Sequence, residues 1–183
     1  MSGDPARDYY CGIVAELRQT YVTTKFAVAG LQHFADQTAQ HGGSTENPDP
    51  RIFIGASAPD AEGSPTHHLW VRRSELETAA DPHGPTPVTL AQQWIVSTFH
   101  RWDDVHRPHL AGLCGVQLNN VTSDVFGDLR RFRHDIIHHK GVASADWSPK
   151  AVVLQWFQVG DVIGCNDGQF AELMTKLKVA VSG

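Results

Sequence analysis

Apolar residues recur every three or four positions over much of this chain, a period that predicts helices. In residues 4–40, Tyr10, Val14, Leu17, Tyr21, Thr24, Val28, Leu31 and Ala35 repeat at nearly heptad spacing. Asp4-Pro5 places a cap and then a proline at the start, and His41-Gly42-Gly43 ends the run. A second helix opens at Thr86-Pro87 and carries Leu90, Trp94, Ile95, Thr98 and Trp102 on its apolar face as far as about Val105. Pro108 has no N–H to donate, so Arg107-Pro108 is expected to break or kink this helix, with 109–114 adding a turn or two. A third helix occupies 125–141, with Thr122 or Ser123 as cap, Asp124 in the first turn and Lys140-Gly141 as the stop. The last begins at Asp167 and turns Phe170, Leu173, Met174, Leu177 and Val181 to the core.

Two stretches depart from this period. Residues 44–87 are polar and rich in Gly and Pro, with short apolar runs at Ile52-Phe53-Ile54 and Leu69-Trp70-Val71. That is too long for an ordinary connection. It reads as an insertion with a strand or two and a helical turn at 74–80. In 151–157, Val152, Leu154 and Trp156 alternate, and Gly160-Asp161 marks a turn before Val162-Ile163. A small hairpin is expected there. The fold class is therefore mainly α: one domain built as an antiparallel four-helix bundle, with a loop-rich insertion at about 44–87 and a short hairpin.

The 125–141 helix has two faces. At ~100° per residue, Val125, Leu129, Phe132 and Ile136 share a narrow sector that suits a core. The other sector holds Arg130, Arg133, His134, Ile137 and His138. A merely solvated face has little use for an isoleucine among cations, so this face is expected to meet a ligand, a partner or a second copy. Arg133-His134-Asp135-Ile136-Ile137-His138 is an arginine, four residues and a histidine, with a polar residue directly after the arginine. This resembles the signature of the HEPN family (higher eukaryotes and prokaryotes nucleotide-binding domains). Many of its members are metal-independent ribonucleases, often toxins or defence effectors, that pair as dimers across the motif helix.

The chemistry fits those residue types. Metal-free RNA cleavage takes a proton from the 2′-hydroxyl, gives one to the leaving 5′-oxygen, and stabilises charge on the phosphoryl group in between. Histidine has both protonation states accessible near neutrality, and arginine keeps its charge and offers a planar fork to two phosphate oxygens. The resemblance implies His138 as general acid or base, Arg133 as phosphate clamp, and His134 as an aid to orientation or proton transfer. It implies 2′,3′-cyclic phosphate and 5′-hydroxyl products, and neither metal nor cofactor. A homodimer with Ile137 at its dyad brings two such sets to one cleft. Some toxins of the family are silenced by modification of a tyrosine two residues after the motif histidine. Here Lys140 stands at that position, so that control finds no support, and an antitoxin or regulator of another kind is left open.

The net charge of −5 draws in no nucleic acid globally, so any RNA contact rests on a local patch, for which Arg130, Arg131, Arg133 and Lys140 are the candidates. Hydrophobic content of 41% and charged content of 19% are ordinary for a globular protein. Cys11, Cys114 and Cys165 are odd in number and far apart, which favours a reducing compartment over a disulfide framework. No apolar run approaches a membrane span and no signal segment opens the chain, so a cytoplasmic protein is expected.

Other readings remain open. The domain is also compatible with a non-catalytic HEPN-like module that binds a nucleotide, RNA or protein. His134 and His138 at i, i+4 suit one face of a metal, without an obvious third ligand. His67-His68 read as exposed loop histidines, and His100, His106 and His109 as surface or packing residues. Asp135 is expected to form a surface ion pair with Arg131 or His139.

Overall fold

The computed structural model describes residues 4–40, 47–59 and 65–182, with the side chains of 53–59 and 65–69 also outside the description. It is mainly helical, with two small two-stranded antiparallel sheets. The chain divides into two compact units, Met1–Thr24 with Val88–Gly183, and Lys25–Pro87. Helix α1, Pro5–Gln40, runs through both. The second unit thus takes in the C-terminal part of α1 as well as the region read as an insertion.

In the second unit, β1 (Arg51–Pro59) pairs with β2 (Pro65–Arg72), with Ile52 opposite Val71. Helix α2, Arg73–Ala80, follows directly. Its small core is Ala35, Leu76 and Ala80, flanked by Leu31, Ile52 and Val71. Asp49 accepts hydrogen bonds from the backbone N–H and hydroxyl of Ser74, which fastens the start of α2. The side chains of His67 and His68 fall outside the described residues.

The first unit holds the larger core. Helix α3 spans Pro85–Arg101, starting a little earlier than the Thr86-Pro87 pair suggested. The proline at 108 neither breaks the run nor ends it. Residues Trp102–His106 form a π-turn that leads straight into α4, Arg107–Cys114, and the Arg107 N–H donates to the Trp102 carbonyl five residues back. A proline lacks its N–H and crowds the carbonyl four residues earlier, and a widened turn displaces that carbonyl. His106 lies in this turn, buried, with Nδ1 3.0 Å from the Tyr9 hydroxyl. Glu16, which is paired with Arg101, approaches its other nitrogen at 3.5 Å. Burial, opposed in part by Glu16, lowers the pKa of His106.

After a short 3-10 turn come β3 (Val121–Thr122) and α5 (Asp124–His138). Ser123 occupies the N-cap position, but its hydroxyl makes no capping bond. The expected core stripe holds: Val125, Leu129 and Phe132 are buried and Ile136 packs against the core. Helix α6 is Asp167–Lys176, and its cap is Asn166, which exchanges side-chain bonds with Gln169 in a capping box. Asp167, expected as the cap, instead accepts a hydrogen bond from the Tyr21 hydroxyl at 2.8 Å. Val181, expected on the last helix, lies in β4 (Ala180–Val181) opposite Val121.

The hairpin expected at 151–163 does not form. Residues 151–163 contain no named strand, and Val162 makes only an isolated bridge with Val142. The reason lies on α5. The fully buried carboxylate of Asp128 accepts the backbone N–H groups of Val152, Val153 and Leu154 at 2.8, 2.7 and 2.8 Å. Donors that would have built a ladder are held by one side chain.

Candidate active site

The C-terminal end of α5 collects the residues of the Arg-x4-His motif, and its shape follows from how the helix stops. The His139 and Gly141 N–H groups both donate to the Asp135 carbonyl, at 2.9 and 3.2 Å. Lys140 and Gly141 then take left-handed backbone angles, with φ of 56° and 75°. The second position is bound to glycine for another reason: a Cβ there would overlap the Gln92 side-chain amide, which donates to the Ile163 carbonyl. The chain turns sharply and runs back beside α5.

Asp135 holds that returning segment. Its carboxylate is fully buried and accepts from the N–H and hydroxyl of Ser144, at 3.0 and 2.6 Å, and from the same two groups of Ser148, at 3.0 and 2.6 Å. The surface ion pair expected for Asp135 is therefore corrected. Arg131 goes to Asp128, and His139 approaches Asp135 only to 3.9 Å. Burial works against ionisation of Asp135, but the four hydrogen bonds together outweigh it and lower its pKa.

Fastening Ser144 and Ser148 sets Trp147 against the motif. Its indole stacks on the His134 ring with centroids 3.9 Å apart and planes 23° from parallel. His134 also lies 4.5 Å from His138 and 5.8 Å from His139, ring to ring. Desolvation, and then the nearby His138, lower the pKa of His134, with Asp135 opposing. Arg133 reaches over the Phe99 ring of α3 at 5.8 Å, and no carboxylate pairs with it among the described residues. His138 and Ile137 are exposed, Ile137 by 47%.

The structure thus brings Arg133, His134, Ile137 and His138 to one helix end and leaves Arg130 and Lys140 exposed. Arg131, expected with the basic patch, turns inward and donates to Asp128 at 2.9 Å. Trp147 and Asp128 were missed in the sequence, and Asp135 was read as a surface residue. A signal for the aspartates was present: Asp128 and Asp135 are seven residues apart, on the side of Phe132, and so fall close to the apolar stripe. Carboxylates in such a place call for donors from elsewhere in the chain. Trp147 carried no such mark.

Among the described residues no group of three His, Cys, Asp or Glu side chains is placed to hold a metal ion, and no helix is long and apolar enough to cross a membrane. Comparison with protein-family models, with curated proteins and with solved structures finds no match.

Proposed function

We propose that this protein is a metal-independent endoribonuclease of the HEPN type, working in the cytoplasm as a homodimer in a toxin or phage-defence role. The observation that carries the reading is the cluster at the end of α5: an arginine with no carboxylate partner among the described residues, beside two imidazoles 4.5 Å apart, on a half-exposed surface. Arg133 neutralises the scissile phosphate, and the histidines move the two protons that 2′-hydroxyl attack requires. In this reading the helices of the first unit form the family's four-helix core, and Arg130 and Lys140 extend the RNA contact.

Ile137 supplies the dyad. It is an exposed apolar residue between the histidines in sequence, and Val142 and Val162, which bridge to each other nearby in the fold, are exposed as well. Ile137→Glu is expected to give a monomer by light scattering, where the parent gives a dimer. A dimer of unchanged mass would remove this interface.

The decisive experiment is RNA cleavage by purified protein in excess chelator, beside Arg133→Ala and His138→Ala. Each variant should stay folded by circular dichroism and lose about 10²–10⁴-fold in rate, the usual worth of a proton-transfer group or a charge-stabilising one. The products should end in cyclic phosphate. Absence of cutting by folded, dimeric parent protein on several RNAs would replace this reading with the non-catalytic binding module.

A further inference from the structure

We propose that Trp147 is a positioning residue of this site: pinned by Asp135 through Ser144 and Ser148, its indole fixes His134 beside His138, so that His134 accepts the substrate's proton and His138 supplies one to the leaving group. The chemical half of this rests on the ribonuclease reading; the placement of the ring does not.

The argument starts from the seat. Four hydrogen bonds of 2.6–3.0 Å, donated by Ser144 and Ser148 to one buried carboxylate, fix the chain on both sides of Trp147. An indole so anchored costs little further entropy to hold in one pose. It covers one face of His134 at 3.9 Å and removes water from it. Desolvation disfavours the imidazolium. The titratable and charged groups acting on His134 are His138, His139, Arg133 and Asp135, all on α5 or its C-cap, and the three basic groups push the same way. The packed segment adds no nearby cation or anion of its own: Asp146 is exposed and paired with Lys150. These influences, with Asp135 opposing, favour the neutral ring at His134, which is the state a base must have. His138 is exposed and has no such cover.

The step balances without another reactant. The 2′-hydroxyl proton passes to a His134 ring nitrogen as the 2′-oxygen bonds to phosphorus. The bond from phosphorus to the 5′-oxygen breaks, and His138 gives that oxygen its proton. Product release and solvent exchange return both rings to their starting states.

The test uses the full-length chain labelled with 5-fluorotryptophan, read by fluorine NMR, with ring-carbon NMR of His134 in parallel. The Trp147 resonance is assigned by its loss in Trp147→Phe. It should titrate with the midpoint of His134, and that dependence should vanish in His134→Gln. In Trp147→Ala the His134 midpoint should move up, and the acid limb of the cleavage profile should move up with it. Trp147→Phe, which keeps a flat ring on the seat, should restore both. A Trp147 signal indifferent to His134, or a His134 midpoint unmoved by Trp147→Ala, would overturn the proposal. Protein that shows these titrations yet cuts no RNA would retain the positioning of His134 and discard the ribonuclease chemistry. Cutting with an unmoved pH profile in Trp147→Ala would do the reverse.

Discussion

Asp128→Ala is expected to destabilise the protein by about 3–5 kcal/mol, chiefly because it takes the acceptor from buried backbone donors. The substitution leaves the Arg131 guanidinium without its acid and three consecutive backbone N–H groups, at Val152, Val153 and Leu154, without an acceptor. Each orphaned buried donor costs roughly 1–3 kcal/mol, less where water reaches it. Leu154 is fully buried and Val153 half-buried, whereas Val152 is exposed, so the loss falls chiefly on the first two. For a chain of this size a loss of that order lowers the melting temperature by roughly 6–20 °C. Asp128→Asn keeps one acceptor oxygen but gives up the charge, and should fall between parent and alanine variant. Urea unfolding of the three proteins measures this. A loss under about 1 kcal/mol for the alanine variant would show that Asp128 does not organise the 151–157 segment.

Asp135→Ala comes next, at about 3 kcal/mol, because the half-buried Ser144 hydroxyl can turn to water while the Ser148 hydroxyl and the two N–H groups on the same segment cannot. Ser148 is fully buried, so its N–H has the fewest alternatives. This carboxylate also leaves a signature in acid. Its folded-state pKa lies below the ordinary aspartate value of about 3.9. The stabilisation is therefore complete above that unfolded value and is lost as pH falls through the folded one. Parent protein should lose stability below about pH 4 more steeply than Asp135→Asn, measured by denaturant unfolding at a series of pH values. Equal slopes would mean that the carboxylate is no better solvated by its four donors than by water. The same variant should loosen Trp147 from its seat, which moves the His134 midpoint up as in Trp147→Ala, while the loss of the Asp135 charge moves it down, so the net rise should be smaller than in Trp147→Ala.

Both aspartates show where reading the chain by period reaches its end. Periodicity sees side chains that leave water because they are apolar, and Asp128 and Asp135 leave water because distant backbone groups come to them. The alternation in 151–157 has the pattern of a strand, and in isolation those N–H groups would look for another strand. In the fold they meet a carboxylate at close to 2.8 Å, a stronger acceptor than a neutral carbonyl. The misplacement of Val181 has a related cause. Its spacing suits a helix face, but α6 ends at Lys176 and Val121 offers a partner some 60 residues away in the chain. At Pro108 the local rule was sound and incomplete: a proline does remove a hydrogen bond, and a π-turn is one of the ways a helix absorbs that loss.

What the sequence by itself determined is the set of elements whose signals are local. These are the helix from Pro5 to Gln40, the helix carrying the arginine and histidines, its core stripe, and its stop at Lys140-Gly141. Each is fixed by contacts within a few residues, so composition and period reveal it. The presence of Arg133, His134, Ile137 and His138 on one helix face was legible for the same reason. Tertiary structure alone decided which charges are free and which are held. Arg131 goes to Asp128, Arg133 has no acid beside it among the described residues, and Trp147 closes over His134 because Asp135 ties down the loop that carries it. Those choices depend on donors and acceptors far apart in the chain, and on burial that multiplies the strength of each bond between them.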